Sequence, residues 1–339
     1  VTVAEVARVI AMAREFKADL ARRESTNVAA MATRYRSVVK ALEGNIEALA
    51  ARLAREAELG IVPTKGALYR MNRYAELQAQ MAQEMKAYNA WAKAKVEATR
   101  QDMAGMGVKH ADALAKASGL RASFDKLPKA NIEQMVAQLT ADAPLGKLLL
   151  KAYGDSADEA ANRLLQGIAL GQSPRAVAEN AANALGINLD RALTIARTET
   201  LRAYREPQLQ RFTQLGIIEY KRIATHDDLT CIGCLVEDGE VYSSPDGFDA
   251  HPNCRCTAVP IVPGAETPAW QSSEDWFGSL SDTQQLAMMG PGRYELYSTG
   301  QVGWSDLSAR TWNDTWGGAI GPANVSDLRA IAQAAAKVA

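Results

Sequence analysis

The sequence predicts a mainly α-helical protein. It reads as a long N-terminal antiparallel helical hairpin, a helical middle, a small α+β module and an extended C-terminal arm. Three observations carry that prediction. Heptad-spaced apolar residues recur along the N-terminal region, all four cysteines fall close together near residue 240, and five of the six tryptophans lie beyond residue 269. The segments are expected at 1–118, 119–216, 217–262 and 263–339.

The hairpin follows from spacing. Up to about residue 58 the chain has no proline and one glycine, Gly44, and is rich in Ala, Arg and Glu. Tyr35, Val39, Leu42, Ile46, Leu49 and Leu53 step by four and three, the seam of a helix packed along a partner helix. Val9, Ala13, Phe16 and Leu20 carry a similar stripe. The run Gly60-Ile-Val-Pro63-Thr-Lys-Gly66 breaks the helix. A second helix then places Tyr74, Leu77, Met81, Met85 and Tyr88 on one face, and Gly105 and Gly107 are expected to end it. At 1.5 Å per residue such a hairpin is on the order of 60 Å or more long. His110, beyond the two glycines, reads as a polar loop residue.

In the middle segment, Pro128, Pro144, Gly154, Gly171, Pro174 and Gly186 separate shorter helices. Ser173 before Pro174 is a helix start with proline in its first turn. Another helix is expected to begin at Asn188 or Asp190, carry Arg197, Thr198 and Glu199, and end near Gly216. Past that glycine, Ile217 to Ile223 reads as a strand, and Leu235 to Tyr242 as a hairpin turning at Asp238-Gly239. The arm holds Trp270, Trp276, Trp304, Trp312 and Trp316, and an amphipathic helix over about 325–338 closes the chain. Large rings on short, loop-rich structure suggest an arm that anchors on another surface, with Trp276, Tyr294, Tyr297 and Trp304 as partner-binding candidates.

Composition excludes several functions. Lys+Arg 38 against Asp+Glu 39 leaves a net charge of −1, so no global basic field attracts nucleic acid or anionic lipid. No stretch reaches the roughly 18 apolar residues of a membrane span. Glu5, Arg8, Arg14 and Glu15 interrupt any secretion signal, which points to synthesis in a reducing cytoplasm. There is no phosphate-cradling glycine loop, Gly-x-Ser-x-Gly or His-Glu-x-x-His, so no familiar catalytic site is predicted.

The strongest chemical signal is Cys231-x-x-Cys234 followed by His251-x-x-Cys254-x-Cys256, five potential ligands within 26 residues. Paired ligands on either side of a short loop suit a tetrahedral structural zinc ion. The ion is expected to staple a turn and a loop where little apolar core exists. Either all four cysteines bind, or His251 replaces Cys254 or Cys256. Free buried thiols and a disulfide are the alternatives. His226-Asp227-Asp228 reads as a solvated turn rather than an acid-base group. Arg197 and Glu199 point to different helix faces, and Arg197 is expected to donate to loop carbonyls or carboxylates.

At these residues the sequence resembles the Mu F-like minor head proteins of tailed bacteriophages, also called phage head morphogenesis proteins. The resemblance is carried by Ile195-Ala-Arg197-Thr198-Glu199, the following strand, Cys231-x-x-Cys234, Asp238-Gly239 and His251-Pro-Asn-Cys254-Arg-Cys256. The run from Leu286 through Met289-Gly-Pro291, Arg293-Tyr294 and Leu296-Tyr297 to Gly300 adds to it, so that it spans about residues 160–310. It implies a non-enzymatic virion component at the portal vertex, assisting head assembly, DNA packaging or DNA delivery. The implied partners are the portal protein, scaffold or major capsid protein, and packaged DNA.

Two other readings compete. A metal-dependent nuclease or other processing enzyme delivered with the genome would need an open metal position beside His226 or His251 and an acid such as Asp227 or Asp228. A zinc-stabilised DNA-binding module would need a basic stripe, yet Glu237, Asp238, Glu240, Asp246 and Asp249 make the cluster's surroundings acidic. Arg22, Arg23, Arg34 and Arg36 are the basic residues that remain for DNA on the hairpin.

Overall fold

A computed structural model of the chain describes residues 3–61, 64, 68, 70–121, 124, 128–142, 156–170, 172–265, 272–313 and 317–336. The chain is mainly helical. Helices α1 (Val3–Glu58), α2 (Asn72–Ala117), α3 (Lys129–Asp142), α4 (Ser156–Ala169) and α5 (Pro174–Gln214) precede strand β1 (Glu219–Ile223). Then come α6 (Ile232–Val236), β2 (Val241–Ser243) and β3 (Thr257–Ile261). The C-terminal part holds α7 (Ser273–Gly278), α8 (Asp282–Met289), α9 (Pro291–Ser298), a 3-10 turn, β4 (Ser308–Asn313), β5 (Gly317–Pro322) and α10 (Val325–Ala336). No described helix is long and apolar enough to cross a membrane.

The chain divides into two compact units. One comprises Val1–Arg23, Arg100–Ala143 and Thr200–Ala339, the other Glu24–Thr99 and Pro144–Glu199. In the second unit the predicted seams are buried at Tyr35, Leu42, Ile46, Leu49 and Leu53 on α1 and at Tyr74, Leu77, Met81, Met85 and Tyr88 on α2, but Val39 is only half-buried and its neighbour Val38 is buried instead. Asn45 donates to Gln80 at 2.6 Å, Tyr35 meets Tyr88 edge-on at 5.2 Å, and the Tyr88 hydroxyl donates to the Met31 carbonyl. Stepping back along α1 therefore means stepping forward along α2, so the helices run antiparallel. Buried aromatic edges among alanines pack into the seam.

The first unit is built on the remaining portions of the same helices. Arg23 pairs with Asp102 at 2.7 Å, and Phe16 stacks on His110 at 3.6 Å. Val9, Ala13, Leu114, Leu209 and Phe212 share one buried core with Ile223, Cys234, Cys254, Cys256, Phe277, Leu296 and Leu328. The expectation that the cysteines sit where little apolar core exists is therefore corrected. Side chains more than a hundred residues distant supply that core. Each large apolar side chain buried there contributes about 1.5–3 kcal/mol.

Gly105 and Gly107 do not end α2. An added Cβ at Gly107 would overlap the backbone carbonyl of Tyr204 on α5, whereas Gly105 has open space around it. The glycine is a close-approach point between two helices rather than a stop signal. His110 consequently lies in the helix, its Nδ1 2.9 Å from the Tyr204 hydroxyl, and not in a loop. The start predicted at Asn188 or Asp190 is likewise absent, because α5 runs unbroken from Pro174, where the Ser173 hydroxyl accepts from the Ala176 N–H.

Three strands form a sheet in the order β2-β1-β3, antiparallel throughout, with Tyr220 opposite Tyr242 on one side and Pro260 on the other. The β4 and β5 strands form a separate antiparallel hairpin. The hairpin expected over Leu235 to Tyr242 differs: its first limb is helix α6, since Cys231 caps a helical turn, while Gly239 makes the predicted turn at φ +86°.

Gly107→Ala should destabilise the protein by about 1–3 kcal/mol because backbone cannot yield to the new methyl group. Gly105→Ala should stabilise it by up to about 1 kcal/mol through helix propensity, as urea unfolding of both variants would show. Burial lowers His110 from 6.5 to about 4, so the neutral ring is the folded form. Its contribution is complete above pH 6.5 and is lost as pH falls toward 4. His110→Asn should therefore make the unfolding midpoint less dependent on pH across that window.

Candidate metal centre

The five predicted ligands converge. Cys231, Cys234 and His251 have ligand atoms within 4.8 Å of one another, and so do Cys234, Cys254 and Cys256. His251 Nε2 lies 3.2 Å from both the Cys231 and Cys234 sulfurs, and Cys234 Sγ lies 3.7 Å from Cys254 Sγ. Around one tetrahedral zinc ion, two bound sulfurs stand about 3.8 Å apart, and a sulfur and an imidazole nitrogen about 3.5 Å. The donor set and its spacing fit that ion. All four cysteines are free thiols, as metal ligands must be.

Local structure explains the convergence. Cys231 is the N-cap of α6, and its sulfur accepts the Cys234 N–H at 3.4 Å, which folds the two-residue spacer so that both thiols face one point. Opposite, Asn253 adopts φ +64° in the tight turn from His251 to Cys254. His251 Nδ1 meets the Pro252 carbonyl at 2.7 Å, leaving Nε2 toward the sulfurs. The segment bearing Cys254 and Cys256, which leads into β3, is held from α5. There Arg205 donates to both of their carbonyls, and Gln208 bridges the Ala258 carbonyl and the Thr257 hydroxyl.

The electrostatics divide the cluster. Cys231 and Cys254 are pulled toward the thiolate, while contact with Cys231 pushes Cys234 up. Against the opposing pull of Cys234, contact with Cys254 and burial raise Cys256 to about 11. The hydrogen bond with Cys234 pulls Cys231 down to about 5 against the opposing effect of burial. Cys254 is held below the usual thiol range by its contact with Cys234. His251 is raised to about 10, the effect of burial being outweighed by the hydrogen bonds to Cys231 and Cys254. Two buried cations face the sulfurs. Arg222 approaches Cys254 Sγ at 3.4 Å and Cys234 Sγ at 3.8 Å, and Lys17 donates to the Ile223 carbonyl. Burial lowers the Lys17 pKa, and Cys256 gives the largest opposing attraction.

The C-terminal segment closes over the cluster. A Cβ on Gly233, within the Cys231–Cys234 spacer, would overlap the Gly321 backbone of β5, and Gly321 itself leaves room for the His251 side chain. Ser308 donates to Glu237 at 2.6 Å, and Arg310 pairs with Asp249 at 2.9 Å. Sequence reasoning missed this clasp, whose signal is the glycine-rich run Gly317-Gly-Ala-Ile-Gly-Pro322.

His226 is not a solvated turn residue. Its Nε2 lies 3.0 Å from Asp238 Oδ2 and 2.9 Å from Ser273 Oγ, and its ring stacks on Trp276 at 4.7 Å. Ser273 also donates to Asp238, whose other oxygen accepts the Ala224 N–H. A hydrolytic triad sets its acid and its nucleophile on different ring nitrogens. Here both meet Nε2, and the trio clasps α7 to the module. Asp227 is engaged with the Leu229 N–H, the Thr230 hydroxyl and Arg255.

The remaining predicted residues fall elsewhere. Arg197 pairs with the buried Glu24, in line with the carboxylate partner expected of it. Thr198 donates to the Thr194 carbonyl, and Glu199 is fully buried. Trp276, Tyr294, Tyr297 and Trp304 are half-buried against this unit's own core, with Trp304 and Tyr297 both packed on Phe277. Trp312 is 76% exposed, while Trp270 and Trp316 lie outside the described residues. Of the basic residues on α1, Arg22 and Arg23 pair with Asp19.

Residues 158–259 match the family model described as phage Mu protein F like protein. That segment runs from α4 through α5 and the whole Cys/His cluster into β3, and over it the resemblance to the Mu F-like head morphogenesis family is borne out. No curated protein and no solved structure matches the chain.

Asp238→Ala should remove an acceptor shared by the buried Ala224 N–H and Ser273 hydroxyl and the half-buried His226 ring. A loss of roughly 1–3 kcal/mol is expected for the groups left unsatisfied, measured by urea unfolding.

Proposed function

We propose that the protein is a structural minor component of a tailed-phage head. In this reading it sits at the portal vertex, assists head assembly and DNA packaging or delivery, and holds one structural zinc ion in its Cys/His cluster. The observation that carries the reading is that the family match and the cluster coincide: all five candidate ligands lie inside residues 158–259. The donors match a closed zinc site, in which thiolates and a neutral imidazole fill every position and leave no place for a reacting water. The group supplies structure rather than turnover, which separates this reading from a nuclease delivered with the genome.

The four-segment organisation belongs to the same proposal. The helical hairpin and the exposed edges of Trp276, Tyr294, Tyr297 and Trp304 are the surfaces offered to portal, scaffold or capsid protein. Packaged DNA is the less favoured partner, since Glu237, Asp238, Glu240, Asp246 and Asp249 surround the cluster. The virion is the expected location, after synthesis in the host cytoplasm.

Elemental analysis with thiol titration should find about one zinc per chain and protected thiols. Four freely titrating thiols without metal would contradict the metal reading. Co-expressed with the portal and major capsid proteins of its own phage, the chain should sediment with assembled portals or heads. A chain that stays wholly in the unbound fraction would contradict the head reading.

A further inference from the structure

The four thiols are not equally accessible. Cys234, Cys254 and Cys256 are buried, at 2%, 1% and 3% exposure, whereas Cys231 is half-buried. The buried Arg222 guanidinium lies against Cys254 Sγ at 3.4 Å and Cys234 Sγ at 3.8 Å. Arg205 donates to the carbonyls of Cys254 and Cys256 from α5. Among the sulfurs, Cys231 is the one that solvent meets.

Cys231 also has a second thiol in its own turn. It is the N-cap of α6, three residues before Cys234, and its sulfur accepts the Cys234 N–H at 3.4 Å. The ligand atoms of Cys231, Cys234 and His251 all lie within 4.8 Å of one another, whereas Cys254 and Cys256 group with Cys234. A solvent-accessible thiolate beside a resolving cysteine is the arrangement through which reversibly oxidised cysteines react. A metal-bound cysteine is already a thiolate, so no proton need leave before an oxidant attacks.

We propose that Cys231 and Cys234 form an oxidation site of the metal centre, at which a peroxide converts the pair to a disulfide and the ion is released. The inference rests on the metal-site reading above and adds a reaction to it. The Cys231 thiolate attacks one oxygen of hydrogen peroxide, the O–O bond breaks, hydroxide leaves and Cys231 becomes a sulfenic acid. The Cys234 thiolate then attacks the Cys231 sulfur, the S–S bond forms and a second hydroxide leaves. The two sulfurs lose two electrons, and the two peroxide oxygens gain them. Of the five candidate donors, only His251, Cys254 and Cys256 then remain. Three donors cannot close a tetrahedral structural site, whichever four held the ion before. Zinc and a disulfide, which stand as alternatives in the sequence, become the reduced and oxidised states of one cluster. A virion component leaves the reducing cytoplasm in which its thiols are kept reduced, and so meets such oxidants.

The test uses the full wild-type chain, reduced, loaded with zinc and treated with equimolar hydrogen peroxide. A chelating dye reads the released zinc, and alkylation after denaturation followed by mass mapping locates the disulfide. The first disulfide should join Cys231 to Cys234, with Cys254 and Cys256 alkylated and zinc released in step. Dithiothreitol should restore the free thiols and zinc uptake. Cys231→Ser, with four candidate donors left, should load zinc and lose the fast release. If that variant fails to load, the wild-type map decides by itself. A first disulfide that involves Cys254 or Cys256 would overturn the proposal, as would zinc release with Cys231 still alkylated. Zinc retained after the Cys231–Cys234 disulfide has formed would overturn the release step. A chain that takes up no zinc ends the metal reading, while the thiol map still judges the oxidation site.

Discussion

Three buried thiols, a half-buried thiol and an imidazole crowd into one place in an apolar core, with Arg222 and Lys17 facing them. Charges buried this way are costly unless each is matched by an opposite charge and its remaining hydrogen bonds are made. The surrounding architecture meets that requirement. Arg205 and Gln208 hold the cysteine-bearing segment and the start of β3 by their backbone, so the thiols need not be positioned by their own packing. Asp238 joins the end of β1 to α7, and the β4–β5 hairpin lies close over the Cys231–Cys234 turn through paired glycines. In this account an ion neutralises the thiolates and leaves the two cations as counter-charges.

The family match ends at residue 259 and holds the whole cluster, yet the packing around the cluster extends beyond it. Ser273, Ser308, Arg310 and Gly321 all come from beyond it and all contact the module. The core beneath the module likewise draws on Val9 and Ala13 of α1 and Leu114 of α2. The cluster therefore sits at the meeting point of three stretches of chain. A change at the metal centre would be felt by the C-terminal elements first, since they touch it through short hydrogen bonds and close backbone approach.

What the sequence made legible was periodic or local. Heptad spacing identified the buried seams of α1 and α2 at every position but Val39, and ligand spacing identified the cluster. Pro174 behind Ser173 marked a true helix start. What failed depended on distant chain. Gly107 looked like a helix terminator because its reason for being glycine, the Tyr204 backbone, lies nearly a hundred residues away. Leu235 and Val236 have strand-forming side chains, but the Cys231 cap commits them to a helical turn. His226 looked solvated because neither Asp238 nor Ser273 adjoins it in sequence. The glycine-rich β5 carried a readable signal, and its meaning required knowing which backbone it approaches.

Amide hydrogen exchange of the full chain, before and after removal of metal by a chelator, would test the central claim most directly. Residues 231–236 and 251–256 should lose protection together, and the elements that clasp them, α7 and β4–β5, should follow. The paired seams of α1 and α2 around Tyr35 and Tyr88 should stay protected, because apolar burial and hydrogen bonds within the seam hold them without the ion. Unchanged protection across 231–256 after complete metal removal would show that the core suffices without an ion and would contradict the account.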